Sequence, residues 1–215
     1  MNKITVGVAD DHPVVLQGVQ HMLLSSPDID LHFQIAAIKP LLVRLVESPV
    51  DVLLCDYEFE GDPEADGLHL LGRIRRIAPH TRVLFLSCHC AAYTVSAALS
   101  AGASGFIGKR REDFANLITA IHAVKSRGFY LADSIASRLL ATTGHATNDI
   151  CLSLNKLSAK EAAVVRLICN GLSINDIAKR LKRSPKTISN QKNAGMKKLG
   201  VKNDIELASG MREWR

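Results

Sequence analysis

Three acidic side chains, a hydroxyl and a lysine stand at the ends of short apolar runs in this sequence. Asp10-Asp11 follows Ile4–Ala9, Asp56 follows Val50–Cys55, Ser87 closes Arg82–Ser87, and Lys109 comes just after Gly105–Ile107. Brought together, three carboxylates repel one another unless a cation binds. A small, hard Mg²⁺ takes carboxylate oxygens and keeps positions for water or phosphate. A carboxylate beside such an ion can attack a phosphoryl group and become an acyl phosphate. The developing charge on the phosphoryl oxygens then needs Mg²⁺ and an ammonium such as Lys109. The Ser87 hydroxyl can hydrogen-bond one of those oxygens. Taken singly, each Asp is equally well a turn residue, since Asp is common at strand ends. The four matched strand ends make the joint reading the stronger one.

Those groups meet only if the runs are neighbouring parallel strands. The apolar runs Ile4–Ala9, Leu31–Ala37, Val50–Cys55, Arg82–Ser87 and Gly105–Ile107 read as buried strands. Between and after them, Val14–Leu24, Pro40–Glu47, Gly67–Ile77, Ala91–Ala101 and Glu112–Arg127 carry helical periodicity. Strands alternating with helices predict a doubly wound α/β fold, a five-stranded parallel sheet with helices on both faces. Its crevice lies at the carboxyl ends of the strands, where the acidic groups stand. Asp133 starts a short helix to about Leu140, and Ala141 to Asn155 has loop composition without a period. The expected division is 1–127 for the α/β domain, 128–152 for a linker with a short helix, and 153–215 for an all-α domain.

Charge divides the chain in the same place. Residues 1–150 hold 13 Lys and Arg against 16 Asp and Glu, whereas 151–215 hold 14 against 5. A basic tail on an acidic body suggests a nucleic-acid surface, although a solvated basic face has the same composition. Four helices are expected in the tail. Ser158 and Glu161 form a capping box for the first, which Gly171 stops. Ser173 caps the second. Ser184-Pro185 starts the third as N-cap and first residue, running to about Leu199. Asn203 to Met211 makes a short fourth. The second and third, joined by a turn of about three residues, have helix-turn-helix dimensions. The third presents Lys186, Thr187, Ser189, Asn190, Lys192, Asn193 and Lys197, with Ile188 and Met196 on its buried side. Lysines and the early Thr suit phosphates, and Ser and Asn suit base edges. Gly195 is a poor helix former there, and close packing is the expected reason for it.

Asp10-Asp11-His12-Pro13, Leu16-x-Gly18, Leu53-Leu54-Cys55-Asp56, Ser87 and Gly102-Ala103-x-Gly105-Phe106-Ile107-x-Lys109 together resemble the receiver domain of two-component response regulators, a flavodoxin-like fold. The resemblance implies that Asp56 accepts phosphate from a sensor histidine kinase or phosphotransfer protein. It implies that Asp10, Asp11, Asp56 and the Glu58 backbone carbonyl hold Mg²⁺. Ser87 would be the switch hydroxyl, Lys109 the phosphate partner and Phe106 the switch aromatic. Phe59-Glu60 replaces the family's frequent Met-Pro, Arg110 replaces a common Pro, and the acidic loop from Asp56 to Gly67 is longer than in most members. Leu157-Ser158-x-x-Glu161, Gly171-Leu172-Ser173-Ile174-x-x-Ile177-Ala178, Ser184-x-Lys186-Thr187-Ile188 and Lys198-Leu199-Gly200-Val201 resemble the LuxR-type DNA-binding domain of the NarL/FixJ-like regulators. Within that group, Arg183-Ser184-x-Lys186-Thr187-Ile188-Ser189-x-Gln191-Lys192 and Gly200-Val201-x-Asn203-Asp204-Ile205 are similar to the Rcs-type capsule-synthesis regulators.

The resemblance implies a phosphorylation-controlled transcription regulator, not an enzyme. It would bind double-stranded DNA as a homodimer or as a heterodimer with an auxiliary regulator. The alternatives are a receiver working mainly through protein contacts, a regulator indifferent to phosphorylation, and a metal-dependent phosphatase on a similar sheet. Five cysteines, an odd count with several in apolar runs, point to reduced thiols in the cytosol rather than to a disulfide framework. Cys88-His89-Cys90 is too tightly spaced for a usual zinc site. No apolar run approaches the roughly 20 residues that cross a bilayer, and Met1-Asn2-Lys3 does not read as a signal peptide. A cytoplasmic protein without membrane contact is expected.

Overall fold

The structure is a computed structural model that describes residues 3–62, 64–88, 90–141, 157–169, 171–201 and 207. The chain divides into two compact units, one from residues 1–90 and 98–136, the other from 91–97 and 137–215.

The first unit is a parallel sheet in the order β2-β1-β3-β4-β5-β6. Its strands are β1 (Ile4–Ala9), β2 (Ile29–Ile35), β3 (Val52–Asp56), β4 (Arg82–Ser87), β5 (Gly105–Gly108) and β6 (Tyr130–Leu131). Its helices are α1 (Pro13–Leu24), α2 (Ile38–Glu47), α3 (Gly67–Ile77), the end of α4 (Ala92–Ser100), the short α5 (Arg111–Phe114), α6 (Leu117–Arg127) and the start of α7 (Asp133–Ala141). Every residue of β3 is buried, as expected of a central strand covered on both faces. On one face Val6, Val8, Leu54, Leu84, Leu86 and Ile107 pack against Val19 and Leu23 of α1 and Leu117, Ile121 and Val124 of α6.

The doubly wound sheet matches expectation, with a sixth strand added. Two residues are too short to show a period, and β6 exists because Tyr130 and Leu131 pair with Gly105 and Phe106 along the sheet edge. A Cβ at Gly105 would collide with the Tyr130 carbonyl. Strand β2 starts two residues before its apolar run because the edge position tolerates the exposed Asp30. The expected helix Glu112–Arg127 is broken in two. The Asn116 side chain donates to the Glu112 carbonyl, and a three-residue turn from the Asp113 carbonyl to the Asn116 N–H replaces the helical ladder there.

The second unit contains α8 (Ala159–Cys169), α9 (Ile174–Arg180) and α10 (Pro185–Leu199). The expected capping box is formed: the Ser158 N–H donates to Glu161 Oε2 at 2.7 Å and the Glu161 N–H to Ser158 Oγ at 3.4 Å. Ser173 Oγ accepts from the Asp176 N–H and Ser184 Oγ from the Thr187 N–H, so both later helices start where expected. Val164, Leu167, Ile177, Ala178 and Ile188 form their shared core. The expected fourth helix lies outside the described residues except for Leu207, which is helical and buried. The stretch 142–156 also lies outside them.

Gly195 is buried against α8, and a Cβ there would stand 2.8 Å from Val165 Cγ2. Close approach of two helices therefore outweighs the helix-propensity cost. Gly195→Ala is expected to lower stability by about 1–2 kcal/mol despite a propensity gain of about 1 kcal/mol. Thermal unfolding of the pair checks this, and a stabilised variant would mean that Val165 moves aside without cost.

Candidate functional site

The strand register explains why four distant residues meet. Ala9 pairs with Cys55, Asp56 with Leu86, and Ser87 with Gly108. Asp10, Asp56, Ser87 and Lys109 therefore emerge level at the carboxyl edge of four adjacent strands. Asp10, Asp56 and Ser87 are almost wholly buried. Lys109 Nζ lies 2.7 Å from both Asp10 Oδ2 and Asp56 Oδ2. Its backbone N–H donates to the Ser87 carbonyl at 2.8 Å, tying the ends of β4 and β5 together.

Asp11 and His12 complete the cluster. Donor atoms of Asp10, Asp11, His12 and Asp56 all lie within 4.8 Å of one another. Asp10 Oδ2 and Asp11 Oδ1 are buried oxygens without an aligned hydrogen bond, the first 2.7 Å from the Lys109 ammonium and the second 2.8 Å from the His12 ring. Uncompensated buried carboxylate oxygens are costly, and converging ones suit a hard dication. The donor set thus fits Mg²⁺. Of the expected ligands, Asp10, Asp11 and Asp56 are together. Glu58 is next to them, its N–H donating to Asp56 Oδ1 at 3.3 Å.

Burial, reinforced by the charge of Asp10, pushes the Asp56 carboxyl up to about 7 against the pull of Lys109. Burial opposes the Lys109 ammonium, but Asp56 and the contacts with both carboxylates raise it overall. Lys109, the phosphate partner that the resemblance implies, here already pairs with two buried acidic groups. Removing it leaves them unpaired, so its loss affects the resting fold as well.

The raised Asp56 has a consequence for stability. The unfolded carboxyl releases its proton near 3.8 while the folded one holds it to about 7. Metal-free protein is therefore expected to lose stability as the pH rises from about 4 to about 7, by up to ~4 kcal/mol. Asp56→Asn should flatten that dependence. Urea denaturation in chelator at pH 5 and pH 7.5 measures it, and an unchanged slope in the variant would place the titration elsewhere.

The acidic loop after Asp56 is held by its own carboxylates and by Asp11. The Glu60 N–H donates to Asp11 Oδ2 at 2.6 Å, the Phe59 N–H to Asp66 Oδ2, and the Ile38 N–H, first in α2, to Asp62 Oδ2. Asp62 thus caps α2, whose own N-cap residue Ala37 offers no side-chain acceptor. Beneath the site Phe106 is fully buried and packs with Tyr57 and Phe85 at ring separations of 5.6 and 6.0 Å. The ring of Phe106, the switch aromatic that the resemblance implies, is turned inward in this structure.

In the second unit, Lys186, Asn190, Asn193 and Lys197 are exposed, and their spacing of four, three and four places them on one face of α10. Thr187 is exposed too, but its hydroxyl lies 2.8 Å from Ser184 Oγ in the cap. Ser189 and Lys192 are half-buried. Ile188 and Met196 lie on the buried side as expected. A groove at the turn, missed in the sequence, is lined by Asn175, Lys179, Lys182 and Arg183 beside Ser184 and Pro185. Lys182 has a positive φ of 51° that shapes the turn. The Arg183 guanidinium donates to Gln191 Oε1 across to α10. The visible signal was the run of cations ending at Ser184-Pro185.

Comparison with known proteins follows the same division. Residues 6–122 match the response regulator receiver domain, and residues 155–211 match the bacterial regulatory proteins of the luxR family. The chain is 32% identical over 207 residues to the transcriptional regulatory protein RcsB of Escherichia coli K12, covering 96% of this chain and 93% of that one. It is 33% identical over 208 residues to the transcriptional regulatory protein UhpA of the same organism, covering 97% of both. The structure of RcsB from Salmonella enterica serovar Typhimurium bound to promoter P1flhDC in the presence of phosphomimetic BeF₃⁻ aligns with a TM-score of 0.67 at 30% identity, covering 98% of each chain.

Proposed function

This chain belongs to the response regulators that join a receiver domain to a LuxR-type DNA-binding domain, and from that membership we propose that phosphorylation of Asp56 controls its binding to promoter DNA. Residues 1–127 would be the receiver, 128–152 the linker and 153–215 the DNA-binding domain. The observation that carries the reading is Lys109, equidistant at 2.7 Å from the nucleophile Asp56 and from Asp10. It supports a nucleophile held next to the charge that its product will need.

In the proposed reaction an Asp56 oxygen attacks the phosphorus of a phosphohistidine or a small acyl phosphate. The new O–P bond forms as the bond to the donor nitrogen or oxygen breaks, and the leaving group departs with that electron pair. Asp10, Asp11, Asp56 and the Glu58 carbonyl would hold Mg²⁺, which when bound neutralises charge on the phosphoryl oxygens. Lys109 would shift from pairing Asp56 to pairing the phosphoryl group. Ser87, buried beside it, would give its hydroxyl to a second oxygen. The buried Phe106 is then a position that phosphorylation traps rather than creates, a shift of population set by differential affinity.

One helix-turn-helix reads few base pairs, so useful specificity needs two half-sites and a dimer. The proposed partners are double-stranded DNA, a sensor kinase or phosphotransfer protein, and a second copy of the chain or an auxiliary regulator. Promoter complexes of RcsB support DNA as the target. Among the described residues no helix is long and apolar enough to cross a membrane, which is consistent with the proposed cytoplasmic location. Beryllium fluoride with Mg²⁺ is expected to raise the dimer fraction in analytical ultracentrifugation, and Ser87→Ala to blunt that rise while still accepting phosphate. Unchanged mass distribution together with unchanged DNA affinity would show that the receiver does not gate the second domain.

A further inference from the structure

We propose that His12 is a nitrogen ligand of the dication at the acidic site, so that the site binds later transition metals more tightly than its oxygen donors alone would. The inference rests on the reading of the site as a metal centre and goes beyond its oxygen donors. His12 Nδ1 lies 2.8 Å from Asp11 Oδ1, 3.3 Å from Asp10 Oδ1 and 3.9 Å from Asp56 Oδ2. Six-coordinate dications with ligands at about 2.1 Å hold neighbouring ligand atoms about 3 Å apart and opposite ones about 4.2 Å apart. The imidazole nitrogen is therefore spaced from all three carboxylates as a member of one coordination sphere would be.

The backbone holds the ring there. The His12 N–H donates to Asp10 Oδ1 at 3.0 Å, and its carbonyl accepts from the Val15 and Leu16 N–H groups in the first turn of α1. Pro13 follows as the first helical residue, further restricting His12. The ring is half exposed, at 55%, so a solvated ion reaches Nδ1 without the core opening. Two buried carboxylate oxygens lack aligned hydrogen bonds: Asp10 Oδ2, which lies 2.7 Å from Lys109 Nζ, and Asp11 Oδ1, which lies 2.8 Å from His12 Nδ1. Carboxylates alone suit Mg²⁺ or Mn²⁺, while an imidazole shifts the preference toward later transition metals.

The alternative is that the ring only rests as a hydrogen-bond donor over the carboxylates, in which case a metal displaces it. The test uses full-length protein with Mg²⁺ or Co²⁺ alone, by titration calorimetry, comparing the unchanged chain with His12→Phe and His12→Asn. As a ligand, His12 should contribute at least ~10-fold to Co²⁺ affinity in both variants, with Mg²⁺ affinity changing less than ~3-fold. Electron spin-echo spectra of the Mn²⁺-loaded protein should carry nitrogen coupling that both variants lose. Tighter binding of either metal by the variants, or no nitrogen coupling in the unchanged protein, overturns the proposal. Failure of every dication to bind would remove the metal site altogether and this inference with it. Normal Mg²⁺-dependent phosphorylation with His12-independent Co²⁺ binding removes this inference alone.

Discussion

Asp56→Asn protein mixed with Mg²⁺ and a small acyl phosphate is expected to take up no phosphate, while the unchanged chain takes up one group per molecule, stable in acid and labile in base. The substitution replaces one carboxylate oxygen by an NH₂ group of nearly the same size. The site's scaffold persists, because the Glu58 N–H can still donate to the remaining oxygen. The nucleophile does not, since an amide oxygen is far less basic than a carboxylate. Asp10 and Asp11 are poor substitutes. Asp10 is fully buried, with Oδ2 against Lys109 and Oδ1 accepting from the His12 N–H. Asp11 accepts the Glu60 N–H and sits against His12. Intact-mass spectrometry before and after alkaline treatment reads the result. A loss of at least ~100-fold in rate is expected for removal of a nucleophile, and normal labelling would move the phosphoacceptor elsewhere.

The acidic site was legible because its chemistry lies at strand ends, and strand ends are marked by where apolar runs stop. Asp10, Asp56, Ser87 and Lys109 each follow such a run, and parallel register aligns them without further information. What stayed hidden depends on side-chain direction. Nothing in the order Asp10-Asp11-His12-Pro13 says that the imidazole turns back over the carboxylates. That follows from the Asp10 side chain accepting the His12 N–H. Equally, the acidic loop reads as excess negative charge, whereas Asp62 and Asp66 accept backbone N–H groups and act as folding elements. The split between α5 and α6 turned on a single Asn side chain competing for a backbone carbonyl. Strand β6 turned on pairing with a neighbour rather than on its own two residues. In the second unit the caps Ser158, Ser173 and Ser184 were readable because a cap is local in sequence.

The triple substitution of Lys186, Lys192 and Lys197 by Ala should have the largest effect on DNA binding. Lys186 and Lys197 share the exposed face of α10 with Asn190 and Asn193, while the half-buried Lys192 stands one turn from Ile188 and from Met196 on the other side. Each lysine that neutralises a phosphate releases condensed counterions, so losing three contacts should make the slope of log affinity against log salt shallower by about 2.7, of which the two exposed lysines account for about 1.8. Affinity at moderate salt should fall by several hundredfold or more, alike on specific and unrelated duplexes, because phosphate contacts carry no sequence information. The helix itself survives: its anchors Ile188, Met196 and Leu199 are untouched and buried on the opposite side, and Ala favours helix. Asn190→Ala and Asn193→Ala should behave differently, changing preference between sites by about 1–3 kcal/mol while leaving the salt slope nearly unchanged. Gel shifts over a salt series on a selected site and a scrambled duplex separate the two classes. Should the triple variant keep the full slope, the phosphates must be met elsewhere. The turn cations Lys179, Lys182 and Arg183 lining the groove beside the start of α10 are then the next residues to replace.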